Sequence, residues 1–219
     1  MIELQQNENN LIGSKEAIAE LENTDHARIL VASDSHNHFD ILLEILRQFG
    51  PGCNAFAFCG DGLGDIATIF SLATKDEEIR KILPPVIAFV AGNCDPSFYP
   101  TSVSTNEQLV APPRQILNVN GHKIMIVHGH RESVDFSFNK LGLEMKLSNC
   151  KTGLYGHTHI AEETIIKNSK FINPGSCSTP RGGQPQSFAI LTVEKKFIDT
   201  AFIMINQNDD NRFKIWRPN

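Results

Sequence analysis

The chain has 219 residues, 20 basic and 25 acidic side chains, a formal net charge of -5 and 41% apolar residues. This length suits one domain of roughly 150 residues or more, or two small ones, and the apolar share excludes a wholly disordered or collagen-like chain. A pI near 5.9 with no long Lys/Arg cluster excludes bulk affinity for nucleic-acid backbone, though not a local phosphate site.

The longest unbroken apolar stretches, such as residues 86–91, fall far below the roughly 18 residues of a membrane span. The first eight residues have neither a basic start nor an apolar core, so they do not read as a signal peptide. Cys53, Cys59, Cys94, Cys150 and Cys177 form no CxxC pair. They read as reduced thiols of a cytoplasmic protein.

Residues 1–27 are polar and Asn-rich, with one weakly amphipathic stretch over 14–21 that Ser14 is placed to cap. They read as an N-terminal extension, frayed or forming a surface helix, ahead of a single domain at 28–219. Within that domain, short β-branched and aromatic runs alternate with helical periodicity. The run 28–32 reads as a buried strand, 40–48 as a helix with one apolar face, and 55–58 as a second strand. A helix over 65–73 and a third strand at 86–90 complete a βαβαβ rhythm, which calls for a parallel or mixed sheet covered on both faces. Beyond it the pattern turns antiparallel. Runs 115–119 and 123–127 flank Asn120-Gly121, a two-residue hairpin signal. A helical stretch over 136–147, a strand at 152–155, short strands near 163–166 and 170–172, and a hairpin at 186–193 and 199–205 follow. The chain shows no internal repeat and no low-complexity linker. One α/β domain of two packed mixed β-sheets flanked by helices accommodates this order.

Metal-type side chains fall where strands end. Asp34-Ser35-His36 follows the first strand, Gly60-Asp61 the second, and Gly92-Asn93-Cys94-Asp95 the third. His128-Gly129-His130 and Gly156-His157-Thr158-His159 end two later strands. In an open α/β sheet such ends share one ligand-binding rim. Asp34/His36 and His157/His159 are i, i+2 pairs, so extended backbone would turn both members of each pair to one side. Glycines before Asp61, Asn93 and His157 let backbone approach a bound ion or phosphate. Carboxylate, amide and imidazole together suit Mn²⁺, Fe²⁺ or Zn²⁺ better than Ca²⁺, and no thiolate set favours a structural zinc.

This ordered set, with Asn173-Pro174-Gly175-Ser176 after it, resembles the calcineurin-like metallophosphoesterases over residues 28–193. The Gly-Asn-Cys-Asp variant and compact length are similar to the family's small bacterial and archaeal phosphodiesterase branch. The resemblance implies a four-layer αββα sandwich with a dinuclear site at one edge. It makes Asp34 and His36 ligands of a first metal and Asp61 the bridge. Asn93, His128 and His157 then serve the second metal, and His159 returns to the first. Asp61, Asn93 and His130 would act in catalysis, with Asn93, His130 and Arg181 touching substrate. His128 is taken as the ligand of its pair because it directly ends the strand. Arg181 reads either as a phosphate contact or as an ordinary surface arginine, and Arg131 likewise. His38 and Asp95 would orient an imidazole or amide, while His26 and His122 receive no role.

The implied cofactors are two divalent ions, Mn²⁺ first, with Fe²⁺, Zn²⁺ or Ni²⁺ as alternatives. The implied reaction is hydrolysis of a small-molecule phosphate ester, most readily a diester, by a hydroxide held between the ions. No membrane partner is expected, and homo-oligomerisation is left open. Many family members carry His where this chain has Cys94, which puts acid assistance to the leaving group in doubt and favours aryl esters. Cys94 is not read as a nucleophile, because no basic residue beside it lowers its pKa. Phe98 and Tyr99, in the loop over 95–114, read as a base- or aryl-stacking pair, a lid or an oligomer contact. The alternative function is a non-catalytic interaction scaffold on the same fold, as in a eukaryotic endosomal-coat subunit of the family.

Overall fold

Alternation along the parallel strands sets the layers. The computed structural model describes residues 4–100, 108–206 and 212–218. In β1 (His26–Ala32), Ile29 and Val31 face one core and Leu30 and Ala32 another, all fully buried, as in a strand covered on both faces. β2 (Ala55–Phe58) and β3 (Val86–Phe89) repeat the pattern. Their Phe56, Phe58, Ile87 and Phe89 pack on helices α2 (Phe39–Phe49), α3 (Leu63–Lys75) and α4 (Glu77–Lys81). Their Ala55, Ala57, Val86 and Ala88 pack on the second sheet. Small residues on that inner face let the two sheets close tightly.

The three strands run parallel and are extended by β11 (Ser187–Glu194), β12 (Phe197–Ile205) and β13 (Phe213–Trp216) in the order β13-β12-β11-β1-β2-β3. β11 lies antiparallel to β1, with Ile29 opposite Leu191. The second sheet comprises β6 (Arg114–Val119), β7 (His122–Val127), β8 (Thr152–Leu154), β9 (Ala161–Ile166) and β10 (Ser169–Pro174) in the order β6-β7-β8-β10-β9. β7, β8 and β10 are parallel, flanked by antiparallel edges. Leu117, Ile124, Ile126, Leu154 and Ile172 meet the first sheet, and Met125, Val127 and Phe171 meet Leu141 and Met145 of α5 (Asn139–Leu147). The result is the αββα sandwich expected. Among the described residues no helix is long and apolar enough to cross a membrane.

Three segments depart from the expectation. α5 starts at Asn139 rather than 136, because Gly129 O accepts from Glu132 N and Val134 N and Ser133 O from Ser137 N, closing residues 129–137 into turns. Residues in the loop over 95–114 form a ribbon of β4 (Phe98–Pro100) and β5 (Gln108–Val110), while 101–107 lie outside the described residues. The polar arm is not loose. Ser14 Oγ accepts the Ala17 N–H at 3.1 Å and caps α1 (Lys15–Asn23) as predicted. Ile12 exchanges two backbone hydrogen bonds with Ile87, at 2.9 and 2.8 Å, and is fully buried beside the outer edge of β3. This covers a sheet edge that would otherwise expose unpaired groups.

Candidate metal centre

The loops after β1, β2, β3, β7 and β8 converge on one rim, and their backbones are strained to do so. Asp34, His36, Asp61, His157 and His159 all have positive φ, between 45° and 68°. The predicted extended geometry of the i, i+2 pairs therefore does not hold, and left-handed residues aim the side chains instead. Such conformations cost of order 1–3 kcal/mol each and persist where surrounding bonds over-determine them. Asp34 N donates to Gly60 O at 2.9 Å and His36 N to Asp61 O at 3.0 Å. Ser176 Oγ and Ser178 Oγ both donate to Asp34 O, at 2.7 and 2.9 Å. Asn173, fully buried, donates to Gly156 O and Thr158 Oγ1, so the Asn-Pro-Gly-Ser turn ties down the Gly-His-Thr-His loop.

Two glycines permit the loops to touch. A Cβ at Gly92 would stand 2.0 Å from Asp61 Oδ1, and one at Gly156 would stand 1.9 Å from Ser33 Oγ. The space they leave is taken by neighbouring side chains of the site rather than reserved for an ion. Asp95 acts on backbone as well, not on an imidazole or side-chain amide as expected. Its Oδ2 accepts from Asp61 N (2.7 Å) and Gly92 N (3.0 Å), and its Oδ1 from Gly62 N (3.0 Å) and Leu63 N (2.8 Å). One carboxylate thus locks the β2 and β3 loops together and stands at the N-terminus of α3, where negative charge is favoured.

The converging polar atoms are mostly acceptors. His128 Nδ1–H donates to Cys59 O at 2.7 Å, so the neutral ring turns an Nε2 lone pair, and the protonated ring an N–H, toward Asn93 Oδ1 at 3.0 Å and Asp61 Oδ2 at 3.4 Å. His159 Nδ1–H donates to Thr179 O at 2.6 Å, so its Nε2 lone pair faces His36 Nε2 at 3.1 Å and Asp34 Oδ1 at 3.2 Å. These tautomers follow from the partners of Nδ1. Asp61 Oδ2 lies between His128 and His36, whose Nε2 is 3.8 Å away. Asp34 Oδ1 is buried without a hydrogen-bond partner, since His159 stands near it but out of line. Lone pairs packed this closely require positive charge among them, and this donor set of two carboxylates, an amide oxygen and imidazoles fits a divalent cation. Three donor triads, Asp34/His36/His159, Asp34/Asp61/His128 and His36/Asp61/Cys94, each have ligand atoms within 4.8 Å of one another.

Titration behaviour follows the same charges. Burial would lift Asp61, but the hydrogen bond and charge of His128 and the Cys94 amide hold its carboxyl well below the usual range. Burial would lower His128 and His159; the Asp61 and Asp34 carboxylates reverse this and raise both. His130 is lowered by burial and by the positive charge of His128, Arg131 and His157, against the opposing charge of Asp61. Burial, then the hydrogen bond and charge of Asp61, push the Cys94 thiol up.

Six of the seven predicted ligands meet in this cluster. His157 stands beside it, its ring 5.2 Å from that of His128, but its Nε2 pairs with Asp135 Oδ2 at 3.0 Å. His157 and His159 thus diverge, one toward His128 and one toward His36. The His130 ring lies 5.3 Å from that of His128, with a buried Nδ1 that has no partner. Arg181 is exposed and close enough for its charge to oppose protonation of His159. His38 Nδ1 bonds to the carbonyls of Ser35 and His36 and touches no ligand imidazole. His26 and His122 sit at the starts of β1 and β7, both on Glu194.

Sequence reasoning missed Asp65 and Asp135. Asp65 accepts the Ser35 hydroxyl at 2.5 Å and steadies the Asp34–His36 loop. A carboxylate among the buried residues Leu63, Ile66 and Ile69 on the apolar face of a helix was the available signal. Asp135, in an irregular turn, had none.

Residues 28–196 match the model of the calcineurin-like phosphoesterase superfamily domain. The probable metallophosphoesterase YsnB of Bacillus subtilis is 26% identical over 174 residues, covering 80% of this chain and 89% of that protein. Phosphodiesterase YfcE of Escherichia coli K12 is 27% identical over 170 residues, covering 75% and 86%. Among solved structures, Vacuolar Protein Sorting 29 of Cryptosporidium parvum superposes with a TM-score of 0.66 at 15% identity, covering 88% of this chain and 97% of that one, a likeness of fold.

Proposed function

This chain belongs to the calcineurin-like phosphoesterase superfamily, a family of hydrolases acting on phosphate esters, and from that premise we propose that it is a phosphodiesterase working on two divalent metal ions. Asp34, His36, Asp61, Asn93, His128, His157 and His159 would hold them, with Asp61 shared. The observation that carries this reading is the crowding of lone pairs around Asp61 Oδ2 and Asp34 Oδ1, which bound cations would relieve. Bound ions supply Lewis acidity, lowering the pKa of coordinated water toward neutrality and drawing charge off the phosphoryl oxygens. Mn²⁺ is the proposed metal. The free state of all five cysteines supports a cytoplasmic location. Residues 28–219 form the proposed catalytic domain, with 1–27 as an extension whose residues 4–27 dock against it.

The remaining chemistry falls to the chain's own groups. His128 and His159 keep Nε2 turned inward because Cys59 O and Thr179 O hold their Nδ1 protons. His130 donates an N–H to a phosphoryl oxygen, and Arg181 adds a fixed positive charge at the rim. His157, paired here with Asp135, would exchange that partner for the metal. Cys94 stands where a leaving-group acid would be wanted. With its thiol pushed up by burial and Asp61 it gives little assistance, so esters whose leaving group is stable as an anion react fastest. The test is hydrolysis of bis(p-nitrophenyl) phosphate by Mn²⁺-loaded protein, against the monoester and against Asp61→Asn and His157→Ala with metal content measured. Both variants should lose the activity. Full activity in either, at unchanged metal content, would refute the assignment and leave a binding scaffold on this fold as the better reading.

A further inference from the structure

The geometry points to a second way of holding metal at this rim, which rests on the two-metal reading but goes beyond it. We propose that Cys94 is a ligand for thiophilic divalent cations of the Zn²⁺ and Cd²⁺ class, taken together with His36 and Asp61, and that it stays free when the harder Mn²⁺ is bound.

An imidazole nitrogen of His36, a carboxylate oxygen of Asp61 and Cys94 Sγ lie within 4.8 Å of one another. A tetrahedral ion with bonds of about 2.0–2.3 Å holds its donors roughly 3.3–3.8 Å apart, so rotation of the exposed Cys94 side chain is needed to close the set. The backbone is already placed, because Cys94 N donates to Asp61 Oδ1 at 2.8 Å. The Asn93 Nδ2 contact to Sγ, at 3.3 Å, and the thiol's hydrogen bond to Asp61 are given up, and sulfur is a weak acceptor and its S–H a weak donor. The buried, unpartnered Asp34 Oδ1 faces the same space, 3.9 Å from His36 Nε2, and supplies further negative charge. On binding, one sulfur–metal bond forms and the thiol proton passes to solvent. Thiolate selects Zn²⁺ and its softer relatives, whereas Mn²⁺ is served by carboxylate, amide and imidazole. Cys53, Cys59, Cys150 and Cys177 are buried and belong to none of the donor sets, so the response is specific to Cys94.

The experiment titrates the full chain with Cd²⁺ and follows the ultraviolet thiolate-to-metal charge-transfer band, with bound cadmium measured in parallel. Alkylation of Cys94 by iodoacetamide is timed in the presence of Cd²⁺ or Mn²⁺. The wild type should develop the band in step with binding and Cys94→Ser should lack it. At roughly ten times the Kd, Cd²⁺ should slow alkylation about tenfold, and Mn²⁺ should leave it unchanged. Cadmium bound without a band, or equal protection by both ions, would overturn this inference while leaving the two-metal reading intact. If neither Cd²⁺ nor Mn²⁺ binds, both fall.

Discussion

Asp95 offers the sharpest test of how the site is held in shape. Its carboxylate accepts four backbone N–H groups from two loops, and hydrogen bonds to a charged acceptor contribute about 1.5–3 kcal/mol each. A simple sum overstates the effect. Bonds that share one carboxylate do not add, and the half-buried position lets water reach some donors after truncation. Asp95→Ala should therefore destabilise the protein by about 3–4 kcal/mol. With a urea dependence of about 2–3 kcal/mol per molar, that lowers the unfolding midpoint by about 1–2 M. Asp95→Asn keeps one oxygen but turns an NH₂ toward two donors, so it should recover no more than half of the loss. Because Asp61 N and Gly92 N share Oδ2, both variants should also bind Mn²⁺ more weakly, as read by calorimetry. An Ala midpoint within about 0.3 M of wild type, or an Asn variant equal to wild type, would refute the argument.

Two further outcomes follow from the same geometry. Asp135 competes with metal for His157 Nε2, and a partly exposed pair contributes about 0.2–1 kcal/mol. Asp135→Ala should tighten Mn²⁺ binding up to about fivefold in a competition titration; weaker binding would mean that Asp135 instead orients His157 as a ligand. In chelator, His128 and His159 are raised in the folded state, so their contribution is complete below their unfolded pKa of about 6.5 and is lost as pH rises through the folded values. Asp61, depressed, contributes above about pH 3.8 and loses that contribution in acid. The chelated protein should thus melt higher at pH 5.5 than at pH 8.5, with Mn²⁺ affinity rising over the same interval. A higher melting temperature at pH 8.5 would contradict the proton-for-cation exchange.

The parallel core was legible because its physics is local. Strands β1 to β3 alternate between two buried faces, and their runs stand out against the amphipathic periodicity of α2. The seven candidate ligands stood out because each lies just after a strand. The orientation of the pairs was not legible, since positive φ at Asp34, His36, His157 and His159 depends on hydrogen bonds with Gly60, Ser176 and Asn173 that are remote in sequence. The capped helix of the arm was legible, but its docking was not, for a similar reason. Leu4, Leu11, Ile12 and Leu21 are too sparse to show a period, yet each is buried against the main body. Asp135 lay hidden because a turn closed by tertiary contacts brings it to His157, and no spacing records that.

The proposed function requires cations between Asp34, Asp61 and the surrounding imidazoles. It is tested most directly by bound manganese per chain, measured after equilibrium dialysis of wild type and Asp61→Asn, with diester hydrolysis read on the same samples. Two ions in the wild type, loss of metal in the variant and activity that follows occupancy are the predicted results. Wild-type protein that takes up no manganese, or an Asp61→Asn variant that keeps both metal and activity, would contradict it.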